Sequence, residues 1–256
     1  MTLPTFHRRP LPADLVDFNS DTGRAWLGEA LSEGTAQSFF PLVAHLHTQA
    51  EPAWCGFGTL VTVLNALEID PGRTWKGQWR FFGEELLVCC KAIELAAAEG
   101  LSLGEVACLA ACNGAEVSSR HAEGASAPEF RAALGASVRA PHGPFLVANY
   151  ARAELGQTGG GHFSPLAAWH RASDHVLVLD VARFKYPPHW VPVERLWRAM
   201  ATRDDASNLP RGWLSLSRPS ETKQPAWPPG AAELVARLAR LGAPVCAVLP
   251  RPAEEC

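Results

Sequence analysis

Four residues of this chain have the types and spacing of a thiol-based acyl-transfer centre. Cys55 stands in the run Gln49-Ala50-Glu51-Pro52-Ala53-Trp54-Cys55-Gly56-Phe57-Gly58, just ahead of an apolar stretch that reaches Leu67. Leu60, Val61, Leu64 and Leu67 recur at helical spacing and predict an amphipathic helix. Pro52 keeps the helix from starting earlier, so Cys55 falls at or just before its N-terminus. Unpaired backbone N–H groups and the helix dipole favour a thiolate there. Gly56 and Gly58 leave the sulfur approachable. Gln49, upstream, carries an amide N–H of the kind an oxyanion hole needs. The plain alternative is a buried cysteine acting as a small hydrophobe, and the Gln, Pro, Trp and Gly around it argue against that.

The second half of the chemistry lies about a hundred residues on. Gln157-Thr158-Gly159-Gly160-Gly161-His162-Phe163-Ser164-Pro165 puts a histidine after a glycine run, at the start of a strand. The next strand ends at Asp180. The link His170 to Asp174 is short enough for a hairpin centred near Ala172. Such a hairpin sets His162 and Asp180 almost opposite each other at its open end, where a carboxylate can orient an imidazole. Cys55, His162 and Asp180 then read as nucleophile, base and orienter, with Gln49 as oxyanion donor. The order Cys, His, Asp, with the Cys on a helix and the other two on a later sheet, is that of papain-like enzymes.

The elements that must position these groups fall into two halves. Ser20 or Asp21 caps a helix through Trp26 and Leu31, and Gly34 ends it. Ile69-Asp70-Pro71-Gly72 is a turn. Trp75, Trp79, Phe81 and Phe82 form an aromatic cluster with a packing role. Glu84 to Ala98 reads as a helix. Ser102 with Glu105, and Ser126 with Glu129, are capping boxes for two more, the first ending at Asn113-Gly114 and the second near Leu134. From Phe145 the pattern turns to strands: Phe145 to Tyr150, Phe163 to Trp169, His175 to Val181 and Gly212 to Ser217. Pro192 to Met200 is a helix between them. The expectation is an α+β fold, papain-like, in which a helical half bearing Cys55 packs on an antiparallel sheet half bearing His162 and Asp180. Residues 1–220 form the catalytic domain, in lobes of about 1–140 and 141–220. Residues 221–256 are a Pro-rich segment with a short helix.

Composition excludes several classes. The chain has 256 residues, 47% of them hydrophobic and 19% charged, as in ordinary globular proteins. A net charge of -3 leaves no basic footprint for nucleic acid. No apolar run approaches the roughly 18 residues that span a membrane, and no secretory signal is legible after Arg8 and Arg9. A cytoplasmic location follows as an expectation, with reduced thiols as the default for the seven cysteines.

Longer motifs carry a closer likeness. Glu51-Pro52-Ala53-Trp54-Cys55-Gly56, Val63-Leu64-Asn65-Ala66-Leu67, Ile69-Asp70-Pro71-Gly72-Arg73-Thr74-Trp75-Lys76-Gly77, Gly161-His162-Phe163-Ser164-Pro165 and the run from Asp180 to Trp190 resemble phytochelatin synthases, over roughly Phe6 to Pro219. The resemblance implies a glutathione γ-glutamylcysteinyltransferase that depends on heavy metal. It implies that Cys55 forms the γ-glutamylcysteinyl thioester with release of glycine, that His162 moves the protons, that Asp180 holds the imidazole, and that Gln49 meets the oxyanion. Its partners would be glutathione, phytochelatin oligomers and heavy-metal ions, with no nucleic acid and no membrane; a homodimer is allowed. No organic cofactor is implied; cadmium, zinc or copper would arrive as a glutathione thiolate.

Glutathione's charges need partners. Arg183 can fork onto the γ-glutamyl carboxylate, Asp204, or Asp205 beside it, can hold the ammonium, and Tyr186, Trp54 and Gly161 can line the pocket. Cys108 and Cys112 share a helical face and, with Cys89 and Cys90, are candidate soft-metal ligands, although buried small side chains are the better reading. Two other functions fit part of the pattern: a hydrolase that removes glycine from glutathione without transfer, and a non-catalytic protein that sequesters metal.

Overall fold

The computed structural model describes residues 8–87, 100–204 and 208–219. Its centre is one seven-stranded antiparallel sheet: β1 (Val16–Asp17), β2 (Glu116–His121), β3 (Phe145–Ala151), β4 (Gly161–His170), β5 (His175–Val178), β6 (His189–Pro192) and β7 (Gly212–Ser217). The spatial order is β1-β6-β5-β4-β3-β7-β2. The helices are α1 (Asp21–Ser32), α2 (Phe39–Ala44), α3 (Cys55–Ala66), α4 (Leu103–Cys112), α5 (Ala127–Ser137) and α6 (Val193–Met200). The mixed helix and antiparallel sheet make this an α+β protein.

Alternation along the strands builds two cores. Phe145, Val147, Phe163, Leu177, Leu179, Leu214 and Leu216 join Leu60, Leu64, Val106 and Leu109 of α3 and α4 in one. Leu146, Ala148, Tyr150, Leu166, Val176, Val178 and Trp213 join Phe130, Leu134 and Leu196 of α5 and α6 in the other. Each of the larger side chains contributes about 1.5–3 kcal/mol by leaving water. Helices thus cover both faces of the sheet. The expected division into a helical half and a strand half is corrected here. β1 and β2 from the first half pair on the sheet's two edges, where the unpaired N–H and C=O groups of β6 and β7 would otherwise stay open, and α6 from the second half packs its apolar side chains on the sheet's face.

Local signals set most boundaries. Ser20, rather than Asp21, caps α1 by accepting the Gly23 N–H, and Gly34 follows the helix at φ +69. Both capping boxes form, with α5 running on to Ser137. Trp75, Trp79 and Phe81 stay at the surface and only Phe82 is buried, so the expected aromatic packing cluster is mostly exposed. Glu84–Leu86 is a turn of 3-10 helix that stops at Leu87; the predicted helix beyond it, 88 to 98, lies outside the described residues. Among the described residues no helix is long and apolar enough to cross a membrane.

Candidate active site

Cys55 is the first residue of α3, with Trp54 as an N-cap that makes no side-chain capping bond. No N-cap side chain therefore meets the N–H groups of the first turn. All twelve residues of α3 are buried, so the helix is a central one rather than the amphipathic surface helix its spacing implied. Thr59 ties it to the sheet by donating to the Phe163 carbonyl at 3.0 Å. The Cys55 thiol accepts from the backbone N–H groups of Phe163 and Gly56, which sets it beside the strand residue that follows His162. Burial pushes the thiol pKa up, against the pull of those bonds and of Arg152.

The hairpin forms as predicted. His170 faces His175 and Ala168 faces Leu177, and a bulge then shifts the register so that Leu166 faces Val178. It carries His162 and Asp180 to one end, where His162 Nε2 lies 2.9 Å from Asp180 Oδ1. Asp180 is fully buried and His162 nearly so. An ionised carboxylate only accepts, so Nε2 must carry the proton, and Nδ1 is left with the lone pair a base needs. Burial, seconded by the Arg152 guanidinium, lowers the His162 pKa to about 4. The Asp180 pKa is also driven down, though burial opposes it, because His162 and Arg152 favour the anion.

Arg152 was not anticipated. It lies at the end of β3, buried, with Nη2 2.9 Å from Asp180 Oδ1 and Nη1 2.8 Å from Oδ2. Arg211 was missed as well. It ion-pairs with Asp204 and packs against Gly161, where an added Cβ would lie 2.5 Å from its Nη1. Neither arginine belongs to a periodic pattern or a motif that sequence reasoning could weigh. A cation directly after the strand-like run from Phe145 to Ala151 was the one available hint.

The other predicted site residues divide. Gln49 is buried, but its Nε2 donates to the carbonyls of Glu51 and Pro52 at 2.8 and 2.9 Å, and its Oε1 has no hydrogen-bond partner. It is not turned toward the sulfur as an oxyanion donor. Its backbone N–H bonds Val181 at 3.1 Å, so the loop itself is held beside the Asp180 strand. Arg183 is exposed and reaches Thr48 Oγ1 at 3.4 Å. Tyr186 is buried beneath Arg152, 5.2 Å from ring centroid to guanidinium, and its hydroxyl accepts the Thr158 N–H, so that it braces the site. Trp54 is half-buried against Phe57, with its Nε1 unpartnered. Gly161, next to His162 in the chain, lies against Arg211, which is paired with Asp204.

Cys108 and Cys112 are each disulfide-bonded, which corrects the expectation of reduced thiols and removes both as thiolate ligands. Cys89 and Cys90 lie outside the described residues. Among the described residues no group of three or more His, Cys, Asp or Glu can hold a metal ion, and Cys55 is the one free cysteine.

Comparison with known proteins agrees with the motifs. The profile of the family described as phytochelatin synthase matches residues 6–213. A wheat protein, glutathione gamma-glutamylcysteinyltransferase 1 of Triticum aestivum, is 48% identical over 223 residues, 86% of this chain and 44% of the relative. Glutathione gamma-glutamylcysteinyltransferase 1 of Arabidopsis thaliana is 43% identical over 220 residues, 86% of this chain and 45% of the relative. The glutathione gamma-glutamylcysteinyltransferase of Schizosaccharomyces pombe is 39% identical over 212 residues, 83% of this chain and 51% of the relative. The chain thus spans about half the length of the curated relatives it matches.

Proposed function

This chain belongs to the phytochelatin synthase family, and we propose that it is a papain-like transpeptidase that builds phytochelatins from glutathione. The observation that carries the reading is the buried His162–Asp180–Arg152 assembly next to the buried thiol of Cys55. Cys55 Sγ attacks the carbonyl carbon of the cysteinyl–glycine amide. His162 Nδ1 takes the thiol proton and returns it to the glycine nitrogen as the C–N bond breaks. A γ-glutamylcysteinyl thioester remains on Cys55. The amino group of a second glutathione, or of a growing oligomer, attacks that carbonyl, gives its proton to His162, and the thiol is restored.

Both partners rest uncharged in the absence of substrate, since burial raises the thiol pKa and His162 sits at about 4. Proton transfer then accompanies attack rather than preceding it. The negative oxygen of the tetrahedral intermediate meets the backbone N–H groups at the start of α3, favoured by the helix dipole. Gln49 joins them by turning one amide hydrogen away from the Glu51 or Pro52 carbonyl. The Asp204–Arg211 pair beside Gly161 suits the zwitterionic γ-glutamyl end: Arg211 takes the carboxylate and Asp204 the ammonium, an assignment that replaces Arg183. A heavy-metal ion enters as substrate, bound to the thiolates of glutathione.

Product analysis by mass spectrometry tests the reading. Protein is incubated with glutathione, with and without cadmium, beside a Cys55→Ser variant. Oligomers of γ-glutamylcysteine ending in glycine, absent from the variant, are expected. Free γ-glutamylcysteine and glycine without oligomers would replace the transferase by a hydrolase. Cadmium binding without turnover, unchanged in the variant, would replace it by metal sequestration.

A further inference from the structure

The mechanism above uses Cys55, His162 and Asp180 but leaves a second set of buried polar groups without a task. We propose that Gln157 and His189 are positioning residues, which act through Arg152 to hold Asp180, and with it the His162 base, in the reactive orientation. The inference rests on the transferase reading only for what the oriented base goes on to do.

His189 Nδ1 lies 2.8 Å from the Pro187 carbonyl, which can only accept, so Nδ1 carries the ring proton. Its Nε2 is then an acceptor in the neutral ring, and Gln157 Nε2 donates to it at 2.9 Å. This fixes which way the Gln157 amide faces. Its Oε1 is turned to Arg152, which donates from Nη1 at 2.6 Å. Arg152 donates in turn to Asp180, and Asp180 accepts from His162. The Pro187 carbonyl sets the His189 tautomer, and the guanidinium, which only donates, demands the same facing of the Gln157 amide from the other end. A reversed amide at Gln157 would put NH₂ against the Arg152 guanidinium and a carbonyl against the His189 lone pair.

Burial gives the chain its stiffness. Arg152, Gln157, His162, Asp180 and His189 are all at most 4% exposed, so water cannot replace a lost bond in it. Asp180 Oδ1 is held by Arg152 Nη2, His162 and the Ala182 N–H, whereas Oδ2 depends on Arg152 Nη1. That Nη1 approaches Asp180 Oδ2 at 2.8 Å, yet Oδ2 makes no hydrogen bond of good geometry. Gln157 pins Nη1 from the other side. The backbone supports the same arrangement, with the Arg152 N–H bonded to Gly160 and the Gln157 N–H to the Arg152 carbonyl, both at 3.0 Å. Tyr186 closes the face, with its ring beneath the guanidinium.

The charged and titratable groups that act on His162 are Asp180, Arg152 and His189, with Tyr150 packed edge-on against its ring and Cys55 on α3. Arg152 disfavours the imidazolium. If Arg152 loses its Gln157 anchor and swings away, His162 protonates more easily and the acid limb of the rate profile moves to higher pH.

The test uses Gln157→Leu, His189→Phe and His189→Gln, with His170→Phe as a control. Leu and Phe remove the acceptor and fill the space. Gln at 189 restores an acceptor near the old Nε2 position. His170 is a buried histidine of the same sheet whose partners are Glu29 and Ser173, so its loss destabilises without touching Asp180. Readouts are kcat and KM for glutathione, the melting temperature, and the titration of His162 followed by NMR. For Gln157→Leu and His189→Phe we expect kcat to fall roughly tenfold or more with KM within about twofold. The His162 titration is expected to move up by about one unit. His189→Gln should recover most of kcat, and His170→Phe should lower only the melting temperature. Folded Gln157→Leu and His189→Phe proteins with unchanged kcat and unchanged His162 titration would overturn the proposal. An equal loss of kcat and an equal titration shift in His170→Phe would overturn it too, by reducing the effect to stability. The NMR titration reads the network even in a protein that does not turn over glutathione, so failure of the transferase reading and failure of this one are separately visible.

Discussion

Replacing Asp180 by Asn separates what its carboxylate does for the fold from what it does for the reaction. Oδ1 accepts three bonds, from His162 Nε2, Arg152 Nη2 and the Ala182 N–H, each 2.9 Å long. Oδ2 faces only Arg152 Nη1, at 2.8 Å. The carboxamide oxygen of the variant will therefore occupy the Oδ1 position, and its NH₂ will meet Arg152 Nη1, donor against donor. Arg152 stays buried with its counter-charge gone. Breaking a buried pair by removing one partner costs about 3–5 kcal/mol, or a melting temperature lower by about 10 °C in a domain of this size. Catalysis loses more than orientation. An imidazolium about 4 Å from a carboxylate gains about 4 kcal/mol at an effective dielectric constant near 20, close to three orders of magnitude in rate. The unopposed Arg152 charge adds to the loss. We expect Asp180→Asn to fold, to melt early, and to lose about a thousandfold in kcat when glycine release is followed. Adding Arg152→Met should return part of the stability, since no buried charge is then unpaired, and none of the rate. A folded Asp180→Asn protein with kcat within about tenfold of the parent would refute the reasoning.

Three further outcomes follow from the same geometry. His162 has a native pKa of about 4 against 6.5 for an ordinary histidine, so between these values the unfolded chain binds a proton that the native protein refuses. Stability must fall as pH falls through that window, by about 2 kcal/mol from pH 8 to pH 5, and an unchanged urea midpoint over that range would contradict it. Below the ordinary Asp range the protonation of Asp180 in the unfolded chain adds to the loss in the same direction. Gly161→Ala drives a Cβ to 2.5 Å from Arg211 Nη1 and must displace the guanidinium; KM for glutathione should rise about tenfold with a smaller change in kcat, and an unchanged KM would remove Arg211 from the γ-glutamyl site. Gly212→Ala sets a Cβ against the Arg120 carbonyl, well inside van der Waals contact, and must open the β2–β7 ladder; calorimetry should find a loss of about 2 kcal/mol or more, while Gly28→Ala, with open space around it, should be neutral or slightly stabilising.

The sequence alone determined the features that are local. Ser102 and Glu105, or Ser126 and Glu129, cap their helices through atoms three residues apart, and no distant contact is needed to make those bonds favourable. The hairpin that joins His162 to Asp180 is short enough for its turn to set its register, and the bulge at Leu166 moved that register without parting the two side chains. Pro52 and the glycines placed Cys55 at a helix start for equally local reasons.

What the tertiary structure decided is everything that depends on burial and on partners far away in the chain. The spacing of α3 could not say that both its faces would be covered, because the second face is covered by α4 and the loop from Gln49, not by its own neighbours. Gln49 packs against Gly58 of α3, yet which carbonyls its amide chooses depends on how the Glu51–Pro52 turn closes. Arg183 and Arg211 are the same residue type and only the fold distinguishes them: one extends to Thr48 at the surface, the other is folded against Gly161 and Asp204. Arg152 and Gln157 stand on one turn, His189 comes from a strand more than thirty residues on, and the three gain their meaning from being dry together. A charge in water is indifferent to where its partner lies beyond about 10 Å. Once buried, the same charge must have its partners at bonding distance, and those partners are chosen by the packing of the sheet rather than by the order of residues along the chain.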